Sequence, residues 1–202
     1  MINKRPAKWE RVIGGVFNRA GLSVQRTSSI GKQLPVEATT QERNIIAAVE
    51  PYTMTSHTRI WSLLRAVTYI NTQGIPGAIV ECGVWRGGSM MAVALQLREG
   101  NNVWCMADER DVRTNMASTD YPTDRLHFVK GDVAETLTRS RPESIALLRL
   151  DTDWYASTKA ELELLYSRLV PGGICILDDY GHWEGARKAV DEYFEENPPR
   201  PL

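Results

Sequence analysis

Five short apolar runs alternate with helical stretches through the middle of this sequence, and each run leads into acidic residues. The spacing predicts strands over Ala78–Cys82, Asn102–Ala107, Arg125–Val129, Ser144–Leu150 and Gly173–Leu177. It predicts helices over Ser56–Thr72, Gly88–Arg98, Asp132–Arg139, Ser157–Leu169 and Glu184–Glu195. In the first helix Ile60, Leu63, Leu64, Val67 and Ile70 recur at helical spacing, and Gly74, Pro76 and Gly77 stop it. Strands alternating with helices imply right-handed crossovers and a parallel sheet. The strands are too apolar for one solvated face, so helices should cover both. The expected fold is α/β, a doubly wound, mostly parallel sheet. Residues 1–45 read as an N-terminal arm with a short helix around Trp9, Val12, Ile13, Val16 and Phe17, and 46–202 as the main α/β domain.

Composition narrows the function. Lys plus Arg number 24 against 25 Asp plus Glu, a net charge of -1, so no global positive field attracts nucleic acid. No apolar run approaches the roughly 20 residues of a membrane span, and the basic N-terminus lacks the apolar core of a secretory signal. Cys82, Cys105 and Cys175 lie in or beside strand-like runs and read as reduced packing residues. The expectation is a cytoplasmic protein with no membrane or nucleic-acid partner.

In an open α/β sheet, ligands bind beyond the carboxyl ends of the strands. After the first strand comes a GxxxGG turn, in which Gly83 and Gly87 permit a tight backbone close to a ligand. It is neither GxGxxG nor a phosphate loop, and the nearby Glu81 suits a cationic ligand better than a diphosphate. These features argue against an NAD-dependent oxidoreductase. After the second strand comes Asp108, about 20 residues beyond the glycine turn, where a carboxylate holds ribose hydroxyls. Its neighbour Glu109 competes for that role. After the third comes Asp132, which joins the cofactor-binding set. The fourth and fifth deliver Asp151, Asp153, Asp178 and Asp179 to one corner. Like charges about 4 Å apart at an effective dielectric near 20 repel by roughly 4 kcal/mol per pair. A bound divalent cation relieves this, and hard oxygen ligands select Mg²⁺, Mn²⁺ or Ca²⁺.

Three segments, Val80–Ser89, Leu150–Thr158 and Pro171–Tyr180, together resemble the macrocin O-methyltransferase family. Tyr52–Thr55 and Gly74–Gly77 are also similar to it, and the likeness covers about residues 50 to 196. The resemblance implies a class I methyltransferase fold, Rossmann-like, that uses S-adenosylmethionine and Mg²⁺ to methylate a sugar hydroxyl of a natural product. It implies that Glu81, Gly83, Gly87 and Ser89 line the cofactor, with Thr53 and Met54 closing over it and Asp108 on the ribose. It assigns Asp151, Asp178 and Asp179 to the metal and Asp153 to the general base. His182, close after the Asp pair, competes for that base role or contacts the acceptor. Trp154, Tyr155 and Trp183 are candidates for the acceptor wall.

The chain departs from the family in two places. The stretch between Asp108 and Leu126 is short, and the terminal strand hairpin is expected to be absent. An open sheet edge would favour a homo-oligomer. Competing readings are a methyltransferase for a catechol-like or phenolic acceptor, a member of the similar cephalosporin hydroxylase-like branch, and a non-catalytic cofactor-binding remnant.

Overall fold

The computed structural model describes residues 34–198 except 108. The expected helix around Trp9–Phe17 and the ribose ligand Asp108 lie outside the described residues. Helix α1 spans Thr40–Val49 and α2 spans His57–Gln73. Strand β1 (Ala78–Val84), helix α3 (Gly88–Leu97), β2 (Val103–Ala107), α4 (Glu109–Ala117) and β3 (Leu126–Val129) follow. Then come α5 (Val133–Thr136), β4 (Ile145–Leu150), α6 (Tyr155–Leu165), β5 (Leu169–Leu177) and α7 (Glu184–Glu196).

The five described strands form one sheet in the order β3-β2-β1-β4-β5, with every pair parallel. Strand order reverses between β1 and β4, so the crossovers on either side of that point run to opposite faces. Alternation along the strands divides the core in two. Ile79, Val103, Cys105 and Leu147 face α1 to α4, whereas Val80, Cys82, Leu148 and Leu150 face α6 and α7. The expected α/β class, the parallel pairing and the cover on both faces are therefore present. Each fully buried aliphatic side chain in these layers contributes about 1.5–3 kcal/mol.

Helix α2 matches its apolar spacing: Ile60, Leu63, Leu64, Val67 and Ile70 are buried, Ser56 caps its start, and Gly74 ends it in the left-handed region. Helix α1 runs across position 45/46, where the sequence reading divides arm from domain, and buries Ile45, Ile46 and Val49. Its start is a capping box. The Thr39 hydroxyl accepts from the Glu42 amide at 3.2 Å, and the Glu42 carboxylate accepts from the Thr39 amide at 2.7 Å. Helix α4 occupies the stretch read as a short connection, anchored by fully buried Val112 and Met116 one turn apart. Helix α5 is one turn rather than a run to Arg139, and β5 begins at Leu169 rather than Gly173. There the register against β4 shifts between Ile145 and Leu147, which absorbs the extra residues around Pro171.

Candidate active site

The reversal point opens a cavity of about 410 Å³ at the carboxyl ends of β1, β4 and β5. The sheet ladder continues one residue past each strand. The Asp151 amide donates to the Cys82 carbonyl at 3.0 Å, and the Asp178 amide to the Leu150 carbonyl at 3.0 Å. Two sequence-distant aspartates are thereby set side by side. Asp179 follows in a turn whose carbonyl accepts from the His182 and Trp183 amides at 2.9 and 3.0 Å. One carboxylate oxygen from each of Asp151, Asp178 and Asp179 lies within 4.8 Å of the others.

The β1–α3 turn lines the same cavity beside Asp151. Gly83 and Gly87 have φ of 86° and 90°, a region that favours glycine. Gly87 sits where α3 begins, and its carbonyl accepts from the Met91 amide at 2.7 Å. Arg86 clamps the turn to the N-terminal side of the domain: its Nη1 donates to the Pro51 carbonyl at 3.1 Å, and its carbonyl accepts from Asn115 at 2.7 Å. Tyr52, Thr53, Met54 and Thr55 then lie along the rim, with Met54 largely exposed.

Of the residues singled out in the sequence, Thr53, Met54, Gly83, Gly87, Ser89, Asp151, Asp153, Asp178, Asp179 and His182 all line this cavity. Glu81 does not; it is fully buried beneath the floor, where the Ser89 hydroxyl lies 2.7 Å from both of its carboxylate oxygens. Asp132 also stands apart, capping α5 by accepting from the Ala134 amide at 2.8 Å. Of the aromatic candidates Trp183 lines the cavity. The Tyr155 hydroxyl instead donates to Glu192 on α7, and Trp154 is exposed outside the lining.

Sequence reasoning missed Arg59, Trp85 and, above all, Arg149. Trp85 and Arg59 line the cavity, and Arg59 reaches Asp178 at 3.0 Å. Arg149 is 2% exposed in the middle of an apolar strand, and that setting was the available signal, because a buried arginine needs partners. It pairs with Glu81, with Asp151 at 2.8 Å and with Asp178 at 3.1 Å. Burial works against its charge, but the three carboxylates outweigh that and hold it firmly protonated. Two arginines, Arg149 and Arg59, among four acids, Glu81, Asp151, Asp178 and Asp179, leave an excess of negative charge. Burial therefore pushes the Asp151 carboxyl up to about 8 despite Arg149, with Glu81 and Asp178 adding to the rise. Asp179 is raised too, first by burial and then by Asp178 and Asp153. Behind the loop, fully buried Glu161 is pushed up to about 8 by burial, although its carboxylate accepts from the Thr152 hydroxyl at 2.9 Å.

Three clustered carboxylates beside a glycine turn narrow the chemistry, and relatedness names it. The model of the macrocin O-methyltransferase family matches residues 16–107 and 96–199. The chain belongs to that family. It is an O-methyltransferase, as the family is. A relative from Streptomyces olivaceus, 8-demethyl-8-(2,3-dimethoxy-alpha-L-rhamnosyl)-tetracenomycin-C 4'-O-methyltransferase, is 32% identical over 177 aligned residues, covering 70% of this chain and 67% of the relative. Mycinamicin III 3''-O-methyltransferase of Micromonospora griseorubida is 29% identical, covering 70% of each. The solved structure of the O-methyltransferase NovP superposes with a TM-score of 0.67 at 27% identity, covering 72% of this chain and 74% of that one. Among the described residues of this methyltransferase, no helix is long and apolar enough to cross a membrane.

Proposed function

We propose that this methyltransferase methylates a sugar hydroxyl of a glycosylated natural product, with Mg²⁺ held by Asp151, Asp178 and Asp179. The observation that carries the reading is the approach of those three carboxylates to within 4.8 Å of one another in the cavity that the glycine turn also lines. Three hard oxygen donors without histidine or cysteine suit Mg²⁺ rather than zinc. The names of the relatives support a sugar acceptor, since they describe methylation of glycosylated products. Three free cysteines, two of them buried, suit a reducing compartment such as the cytoplasm.

S-adenosylmethionine supplies an electrophilic sulfonium methyl, and the Mg²⁺ site supplies a charge that lowers the pKa of the acceptor hydroxyl. The chain's own groups do the rest. Gly83, Gly87 and Ser89 shape the donor wall, while Glu81 acts from beneath by holding the Ser89 hydroxyl. Thr53 and Met54 border the donor from the N-terminal side. Asp153, at the cavity edge and more exposed than Asp151, Asp178 and Asp179, takes the hydroxyl proton as the methyl passes to the acceptor oxygen and its bond to the sulfonium sulfur breaks, leaving a neutral thioether. Fixing the two reactants in one cavity gives the proximity advantage. Trp85 and Trp183 offer apolar faces to the acceptor.

The experiment combines calorimetry with transfer of a labelled methyl group to a panel of glycosylated and phenolic acceptors, with Mg²⁺ and with chelator. Transfer should require Mg²⁺ and favour a sugar hydroxyl. Asp151→Ala and Asp178→Ala should lose transfer yet retain donor binding. Asp153→Asn should lower kcat by about 10²–10⁴ with donor affinity unchanged. Wild-type protein that binds no donor, or whose turnover ignores chelation, overturns the reading.

A further inference from the structure

We propose that Arg149 is a positioning residue that couples the donor wall to the metal wall, so that occupancy of one changes the affinity of the other. The inference rests on the proposed function above. Arg149 and Glu81 are direct cross-strand neighbours in the β1–β4 register. Both sit at the strand-order reversal, below the floor of the cavity. The planar guanidinium divides its donors between the two walls. On the donor side Nη1 reaches Glu81, whose carboxylate in turn holds Ser89, and Nη2 lies 3.3 Å from the Thr55 hydroxyl. On the metal side Nη1 lies 2.8 Å from Asp151 Oδ2, and Nη2 lies 3.1 Å from Asp178 Oδ2. It binds one oxygen of each aspartate, and Arg59 shares Asp178 Oδ2 at 3.0 Å.

Each nitrogen thus serves both walls. A shift of Glu81 or Thr55 when the donor seats is felt at the same nitrogens that orient Asp151 and Asp178. A rigid fork transmits such a shift, whereas an ammonium point charge does not divide itself this way. Coupling of this kind is reciprocal between the two ligands and amounts to about 5–150-fold in affinity where it has been characterised.

The test measures Mg²⁺ affinity by calorimetry with and without saturating S-adenosylhomocysteine, in wild type and in Arg149→Lys. A binding ratio is read rather than turnover. A residue that only supports the fold would change stability and leave the ratio alone. Wild type should show at least a fivefold dependence of Mg²⁺ affinity on the donor product. Arg149→Lys should bring the ratio close to one. Thr55→Val removes one donor-side contact at a partly exposed position, and should lower the ratio even if Arg149→Lys fails to fold. Wild type binding both ligands independently overturns the coupling role alone, as does a ratio unmoved in the variants. Wild type that binds no Mg²⁺ overturns this role together with the metal reading on which it rests.

Discussion

The Cα of Gly83 lies so close to the Asp151 carbonyl that a methyl group added there would collide with it. The carbonyl carbon of Asp151 would stand 2.6 Å from such a Cβ, and the Thr152 methyl 3.1 Å. The glycine turn and the strand end that carries Asp151, one of the proposed metal ligands, are therefore packed backbone to backbone.

Gly83→Ala should be among the more damaging single changes in the site. The residue has φ of 86°, and the Asp151 carbonyl that obstructs it belongs to main chain that cannot swing aside. We expect a loss of about 1–3 kcal/mol from the backbone conformation alone, with the collision adding to it. Thermal denaturation should report the instability. Titration with S-adenosylhomocysteine and with Mg²⁺ should show both sites weakened, because the same contact supports each.

Mg²⁺ binding should release a proton near neutral pH. In the metal-free site burial raises Asp151 to about 8, so at pH 7 it is mostly protonated, and only the ionised form is a ligand. Apparent Mg²⁺ affinity should therefore rise with pH between about 6 and 8, by up to tenfold per unit, and level off above. Calorimetry in buffers of different ionisation enthalpy counts the protons released. A pH-independent affinity across that window would contradict the assignment.

Glu161 should make the protein less stable as pH rises. Its folded value of about 8 lies above its ordinary 4.5, so between those limits the folded chain holds a proton that the unfolded chain has lost. Stability then falls with rising pH, by at most about 1.4 kcal/mol per unit for one such group. Asp151 contributes with the same sign in the metal-free protein, so the comparison belongs in saturating Mg²⁺. There Glu161→Gln should flatten the slope and exceed wild type in stability above pH 8. Denaturant unfolding at several pH values provides the measurement.

Parts of this site were legible in sequence because the signal is local. Alternating apolar runs identify the strands, since the side-chain period and the flanking glycines need no distant partner. The aspartates after β4 and β5 follow from the rule that chemistry gathers at carboxyl ends. Helix α1 was legible in principle: Thr39 followed three residues later by Glu42 is a capping box ahead of Ile45, Ile46 and Val49. Helix α4 was harder. It is mostly polar, and only Val112 and Met116 mark its buried side. The start of β5 was hidden by Pro171 and a glycine pair, which break strand propensity; pairing with β4 overrides it.

By itself the sequence determined the strand–helix alternation, the glycine turn after β1 and the acidic ends of β4 and β5, all consequences of chain-local chemistry. Only the tertiary structure decided that Glu81 lies buried outside the cavity lining, that Asp132 caps a helix instead of lining it, and that Arg149 meets Glu81, Asp151 and Asp178 together. Those roles depend on which strands are neighbours and in what register. A residue in the interior of an apolar run carries no record of the partner that burial will place beside it.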